Sequence, residues 1–150
     1  MPYNNLRIGR VSIPGQTYLV TTVTLHRQHF FDDFVLGRIV VDSMRMLDRQ
    51  GASRTLAFVV MPDHVHWLLD LNQTRSLTQI IKSFKGRSAT LIGKKLCQPY
   101  KIWQPSFHDH AVRTDESLVE MARYVVMNPV RAGLVKSIGD YPLWDCIWME

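Results

Sequence analysis

The sequence predicts an α+β fold in which an antiparallel sheet carries helices packed on one face. Three observations carry that prediction. Runs rich in β-branched and aromatic residues alternate with segments of helical apolar spacing, and two such runs are joined by a tight Pro62-Asp63 turn. The order reads strand, helix, hairpin, helix, strand, helix, and the hairpin breaks the alternation that a doubly wound parallel sheet requires. At 150 residues, with no internal repeat, low-complexity stretch or linker, residues 1–150 read as a single domain able to bury a core.

Each element follows from its residues. Thr17–Leu25 (TYLVTTVTL), preceded by the turn residues Pro14-Gly15, reads as a strand. Phe34–Arg49 has Asp32-Asp33 at its head and apolar residues at Val35, Ile39, Val40, Met44 and Leu47; this is helical spacing, ended near Gly51. Arg54–Met61 and His64–Leu71 form the hairpin. Ser76–Ile92 reads as a helix with Leu77, Ile80, Ile81 and Phe84 inward and Gly93 as its stop. A loop with Gln98-Pro99 precedes a short strand around Phe107–Arg113. Thr114 is the expected N-cap of a last helix running to about Asn128, where Pro129 disfavours further α conformation. The tail beyond Gly133, with Tyr141, Trp144 and Trp148, is expected to pack back on the body.

Composition bounds the function. Hydrophobic residues make up 46% and charged residues 21%, ordinary for a globular protein. The longest apolar runs are too short to span a membrane, and MPYNNLRIGR lacks an apolar signal core, so a cytoplasmic location is expected. Cys97 and Cys146 match no metal-ligand spacing and read as reduced, buried thiols. The net charge is +5, and its distribution says more than its size. Arg75, Lys82, Lys85, Arg87, Lys94, Lys95 and Lys101 fall in one stretch with no acidic residue among them. Such a one-sign face carries a repulsion that a phosphate backbone would relieve.

Two motifs carry chemistry. In His64-Val65-His66 the period of a strand sends both imidazoles to one face and Val65 to the other. Two neutral imidazoles side by side make most of a metal site; otherwise they are two histidines on a polar sheet face. His108-Asp109-His110 is a rival pair, but its neighbours Pro105, Ser106 and Phe107 suggest a polar turn. On the last helix, Leu118, Ala122, Val125 and Val126 define the buried stripe, and Tyr124 lies roughly 145° from its centre. Asn128, four residues on, shares the Tyr124 face. The two side chains present a nucleophile and a metal ligand together, or else a surface tyrosine above a capping amide.

MPDHVHWLL followed by YVVMNPVRAGLV resembles the single-tyrosine HUH transposases, and within them the REP-associated tyrosine transposases. The likeness extends through RIGRVSIPGQTYLVTTVTLHRQHFF, IKSFKGRSA and WQPSFHDHAVRTDESL, nearly the whole chain. The H-x-H alone is unspecific; joined to Y-x-x-x-N-P-x-R-A-G-L-V it is highly specific. The resemblance implies a ferredoxin-like or RRM-like sandwich that cuts single-stranded DNA at the foot of a hairpin through a covalent 5′-phosphotyrosine. It implies DNA transposition or the mobilisation of palindromic repeats, by a monomer or a homodimer. Carried onto this chain, it makes Tyr124 the nucleophile, His64 and His66 metal ligands and Asn128 the third ligand. Asp63 departs from the Asn usual in that motif. Imidazoles point to Mn²⁺, family analogy to Mg²⁺.

A tyrosine hydroxyl, with an ordinary pKa near 10, is a poor nucleophile at neutral pH, so a cation that polarises the phosphate suits this pair of motifs. Lys82, Lys85 and Arg87 are the leading phosphate contacts, with Arg7, Arg10 and Arg131 behind them. Tyr3 and Trp103 are aromatics that either stack on unpaired bases or pack internally. Two other classes compete: a non-catalytic nucleic-acid-binding module on the same sheet, and a zinc hydrolase using His64, His66, His108 and His110.

Overall fold

The computed structural model describes residues 16–72, 74–98 and 101–149. Five strands form one antiparallel sheet: β1 (Thr17–Val23), β2 (Ser53–Met61), β3 (His64–Leu71), β4 (His108–Ala111) and β5 (Trp144–Cys146). Their order across the sheet is β4-β1-β3-β2-β5, which makes β3 the central strand. The long helices α1 (Phe34–Arg49) and α2 (Leu77–Lys95) lie on one face of the sheet, as expected. They bury Val40, Met44, Ile80 and Phe84 against Tyr18, Val20, Val65 and Trp67.

Strand alternation defines a second layer on the opposite face. There Val59, Met61 and Leu68 pack with Ala122, Val125 and Val126 of α3 (Leu118–Val126). A bulge between Thr55 and Ala57 turns both Leu56 and Ala57 to that side. The sheet therefore has a broad core under α1 and α2 and a smaller one under α3.

The caps explain the boundaries. Asp33 accepts from the Val35 and Leu36 amides at 2.9 and 3.4 Å and starts α1. Gly51, at φ 73°, ends it where a left-handed residue is needed. Asp48 then accepts from Ser53 Oγ at 2.6 Å and from the Thr55 amide at 3.1 Å, which fixes the start of β2 against α1. Ser76 and Gln79 form a reciprocal capping box at the head of α2.

Several expectations are corrected. The second helix runs through Gly93 to Lys95, because burial of Ile92 and Gly93 outweighs the roughly 1 kcal/mol propensity cost of one glycine. The left-handed residue after the helix is Cys97, at φ 59°. Cys97 is exposed rather than buried; only Cys146 is an interior thiol. The last helix starts after Ser117, whose side chain accepts from the Glu120 amide at 3.2 Å, not at Thr114. Residues 113–116 instead form a turn in which Glu116 accepts from the Arg113 amide at 2.9 Å. The helix ends at Val126, and a single further turn, α4 (Asn128–Arg131), follows beyond a break at Met127. The first strand ends at Val23, short of Leu25, where a 3-10 turn over Leu25–Arg27 begins.

The tail packs on the body through Tyr141, whose hydroxyl donates to the Val60 carbonyl at 2.5 Å, and through β5 on β2. Trp148 stays exposed. Among the described residues, no helix is long and apolar enough to cross a membrane.

Candidate active site

The central strand presents the histidines. Val65, Trp67 and Leu69 belong to the α1–α2 core, so His64, His66 and Leu68 face the α3 side. The two imidazoles stand edge to face with ring centroids 4.8 Å apart. Each is held through Nδ1: that of His64 lies 2.7 Å from Asp63 Oδ1, and that of His66 lies 2.9 Å from Thr21 Oγ1. Thr21 is opposite His66 in the β1–β3 register, which places it for that bond.

Asp63 does more than close the hairpin. Its second oxygen accepts from Arg27 at 3.1 Å, and Arg27 and His26 both have left-handed backbones, at φ 50° and 56°. Such conformations in non-glycine residues cost energy and persist only where the surroundings enforce them. Burial would raise the Asp63 carboxyl, but hydrogen bonds from His64 and Arg27, with their charges, hold it below the usual carboxylate range. An ionised carboxylate only accepts, so the His64 Nδ1 carries the proton and donates it to Asp63. His66 is pushed down to about 4, by burial first and then by the charges of His64 and Arg131. It is therefore a neutral imidazole at neutral pH.

Tyr124 stands off the core stripe as the helical wheel predicts and is 63% exposed. The α3–α4 junction builds its surroundings. Pro129 has no N–H to give the Val125 carbonyl, four residues back. Asn128 Nδ2 donates to that carbonyl instead, at 3.3 Å. The described bonds thus use the Asn128 nitrogen and not its oxygen, the atom a hard cation takes. The chain turns, and the Arg131 guanidinium comes to lie 3.7 Å from the centroid of the Tyr124 ring. Arg131 also contributes to the charge felt by His66. In the sequence Arg131 stands only among the weaker phosphate contacts; its spacing of seven from Tyr124 becomes a signal once the helix break is known.

Other candidates are placed as follows. Lys82 and Arg87 are exposed on α2. The Lys85 ammonium donates to the Gln104 and Ser106 carbonyls at 2.8 and 2.6 Å, so it pins the loop between α2 and β4. Trp103 is buried, its ring nitrogen donating to Ser88 Oγ at 3.0 Å, and it packs between Phe31 and Phe84. Internal packing is therefore its role. Arg7, Arg10 and Tyr3 lie outside the described residues.

His108 and His110 lie on the edge strand β4, within the short strand expected around Phe107–Arg113, and not in a polar turn. His110 Nε2 is 2.9 Å from Glu116. Thr21 stands between His66 and His108 in register, so their strands are two ladder spacings apart, roughly 9.5 Å. Among the described residues no group of three His, Cys, Asp or Glu side chains forms a ready metal cage. A cation at His64 and His66 would need an amide or the substrate to complete its shell.

Known proteins share this fold. An Escherichia coli REP-associated tyrosine transposase is 33% identical over 91 residues, covering 57% of this chain and 50% of its own length. A Haemophilus influenzae relative is 29% identical over 98 residues, covering 59% of this chain and 56% of its own. The chain thus matches about half the length of these curated relatives. A solved structure of a REP-associated tyrosine transposase bound to a REP hairpin superposes with a TM-score of 0.74 at 25% identity, over 90% of this chain and 79% of that one. Residues 13–128 match the family described as "Transposase IS200 like", and the chain belongs to that family of transposases.

Proposed function

We propose that this chain cuts and rejoins single-stranded DNA at hairpin structures, with Tyr124 as the nucleophile. The carrying observation is that α3 holds an exposed tyrosine, with the Arg131 guanidinium over its ring, on the side of the sheet that also presents the histidine pair. The likeness to a transposase bound to a REP hairpin supports hairpin DNA, and with it the mobilisation of palindromic repeats, as the substrate class.

The residues fit a divalent cation. Both Nδ1 atoms are engaged, and when each carries its ring proton, toward Asp63 and Thr21, the Nε2 atoms are the ones left among the described residues to ligate a cation. His64, His66 and the Asn128 oxygen would hold the ion, and imidazole ligands favour Mn²⁺ while tolerating Mg²⁺. Bound there, it would polarise the scissile phosphate and neutralise developing charge.

The chain's own groups do the rest. Tyr124 Oη attacks phosphorus, its proton passing to solvent. The P–O3′ bond breaks, and the 3′ oxygen leaves as a hydroxyl after taking a proton from water. The 5′ phosphate stays on the tyrosine, so the energy of the broken bond is kept and a 3′-hydroxyl reverses the step. Lys82 and Arg87 would contact phosphates, while Lys85 supplies a fixed charge from the loop it holds. Next to them lies an open groove of about 940 Å³, lined by His26, Lys82, Lys101 and Phe107 among others, which suits a strand running toward the Arg27 turn.

The test is incubation with labelled hairpin oligonucleotides and Mn²⁺ or Mg²⁺, followed by denaturing electrophoresis. A covalent protein–DNA adduct that disappears in Tyr124→Phe is expected. Hairpin binding without an adduct under any metal would favour the non-catalytic binding module, and cleavage surviving in Tyr124→Phe would favour hydrolysis.

A further inference from the structure

Five arginines are neutralised by carboxylates: Arg27 by Asp63, Arg38 by Asp42, Arg45 by Asp145, Arg54 by Asp70 and Arg113 by Asp115 and Glu116. Arg131 is held differently. Its guanidinium lies over the Tyr124 ring at 3.7 Å, and among the described residues no ion pair joins it to a carboxylate. In an unbroken helix Arg131 would stand about 10.5 Å along the axis from Tyr124, at 1.5 Å per residue. A break at Met127, just before Pro129, interrupts the helix between the two residues. Gly133 then closes the turn at φ 75°, its amide donating to Val130 at 3.0 Å and that of Leu134 to Pro129 at 2.9 Å. The junction is thus built so that one cation returns over one tyrosine.

We infer that Arg131 is a catalytic residue of the strand-cleavage step, gripping the scissile phosphate while its guanidinium face orients the Tyr124 ring. The inference rests on the proposed function and deepens it. Stacking occupies the face of a guanidinium, whereas its donors lie in the plane at its edge, so Arg131 retains N–H groups for two phosphate oxygens. Its place over the Tyr124 ring sets the guanidinium beside the nucleophile, where the phosphate must sit for Oη to reach it. As Oη closes on phosphorus and the P–O3′ bond lengthens, negative charge grows on the non-bridging oxygens. A preset cation aimed at that charge lowers the barrier more than it strengthens ground-state binding.

The test separates rate from affinity. With the hairpin oligonucleotide that gives the wild-type adduct, protein is held in saturating excess with Mn²⁺ and the single-turnover rate of adduct formation is followed. Arg131→Ala should slow that rate about 100- to 1,000-fold, as removal of one preset donor does. Its hairpin affinity, read by fluorescence anisotropy, should weaken only as the loss of one phosphate contact does. Arg131→Lys, which keeps the charge but not the planar fork, should fall between. A wild-type rate in Arg131→Ala overturns the role, and so does a fall in rate accompanied by equal falls in affinity and melting temperature, which would mark a structural residue. If the wild-type chain forms no adduct with any hairpin, the function itself fails and the inference falls with it. A wild-type adduct with an unaffected Arg131→Ala sinks the inference alone.

Discussion

At the scale of single residues, the histidine pair is defined as much by its supports as by itself. Asp63 connects a strained Arg27 to His64, and Thr21 holds His66 from the neighbouring strand. Such supports fix which ring nitrogen faces a metal, and their loss typically weakens metal binding about 10- to 100-fold. Asp63→Ala should therefore reduce Mn²⁺ affinity within that range by isothermal titration calorimetry, and Asp63→Asn, which can still accept from His64, should lose less. An Asp63→Ala protein binding Mn²⁺ at wild-type affinity would show that the carboxylate serves only the turn. Strand periodicity made the shared face of His64 and His66 legible in the sequence. The tie between His66 and Thr21 was not, because it depends on the β1–β3 register, which no local pattern records. Lys85 was misleading for a related reason: a lysine within a basic run looks like a phosphate contact until the loop carbonyls that claim it are in view.

At the scale of elements, the chemistry depends on where the last helix breaks. Pro129 foretold an interruption, but the side chain that repairs it, Asn128 donating to Val125, appears only in three dimensions. Thr114 misled because it is a good N-cap by type, whereas Glu116 draws residues 113–116 into a turn and hands the cap to Ser117. The tail offers a cleaner measurement. Burial, and then the charge of Asp32, push the Tyr141 phenol up to about 12. Its unfolded value is near 10, so the folded state holds this proton more tightly. The contribution is present below pH 10 and is lost as pH rises from 10 through about 12. Urea unfolding should show Tyr141→Phe less stable by about 1 kcal/mol at pH 8, for the lost hydrogen bond to Val60. The gap between the two proteins should narrow across that alkaline window.

At the scale of the molecule, two cores lie on opposite faces: α1 and α2 cover one, while α3 carries Tyr124 on the side that presents the histidines. The two-layer half was legible because α1 and α2 are long and α1 is strongly periodic. The placement of α3 was not, since a short amphipathic segment fits either face until the strands fix which residues remain uncovered. Basic α2 lies on the sheet face opposite the histidines, which in the proposed function gives its cations the path of the DNA and not the bond that breaks. Lys82→Ala and Arg87→Ala should each lower the salt slope of hairpin binding by about 1 while leaving the saturated adduct rate unchanged. A slope that stays at the wild-type value in both would move the DNA path elsewhere. In the proposed function Tyr124, Arg131 and His66 of one chain serve one reaction, and no second copy has to lend a residue. Adduct formed per chain at saturating DNA should then stay constant as the protein is diluted, and an equimolar mixture of Tyr124→Phe and His66→Ala chains should remain inert instead of restoring activity by exchange.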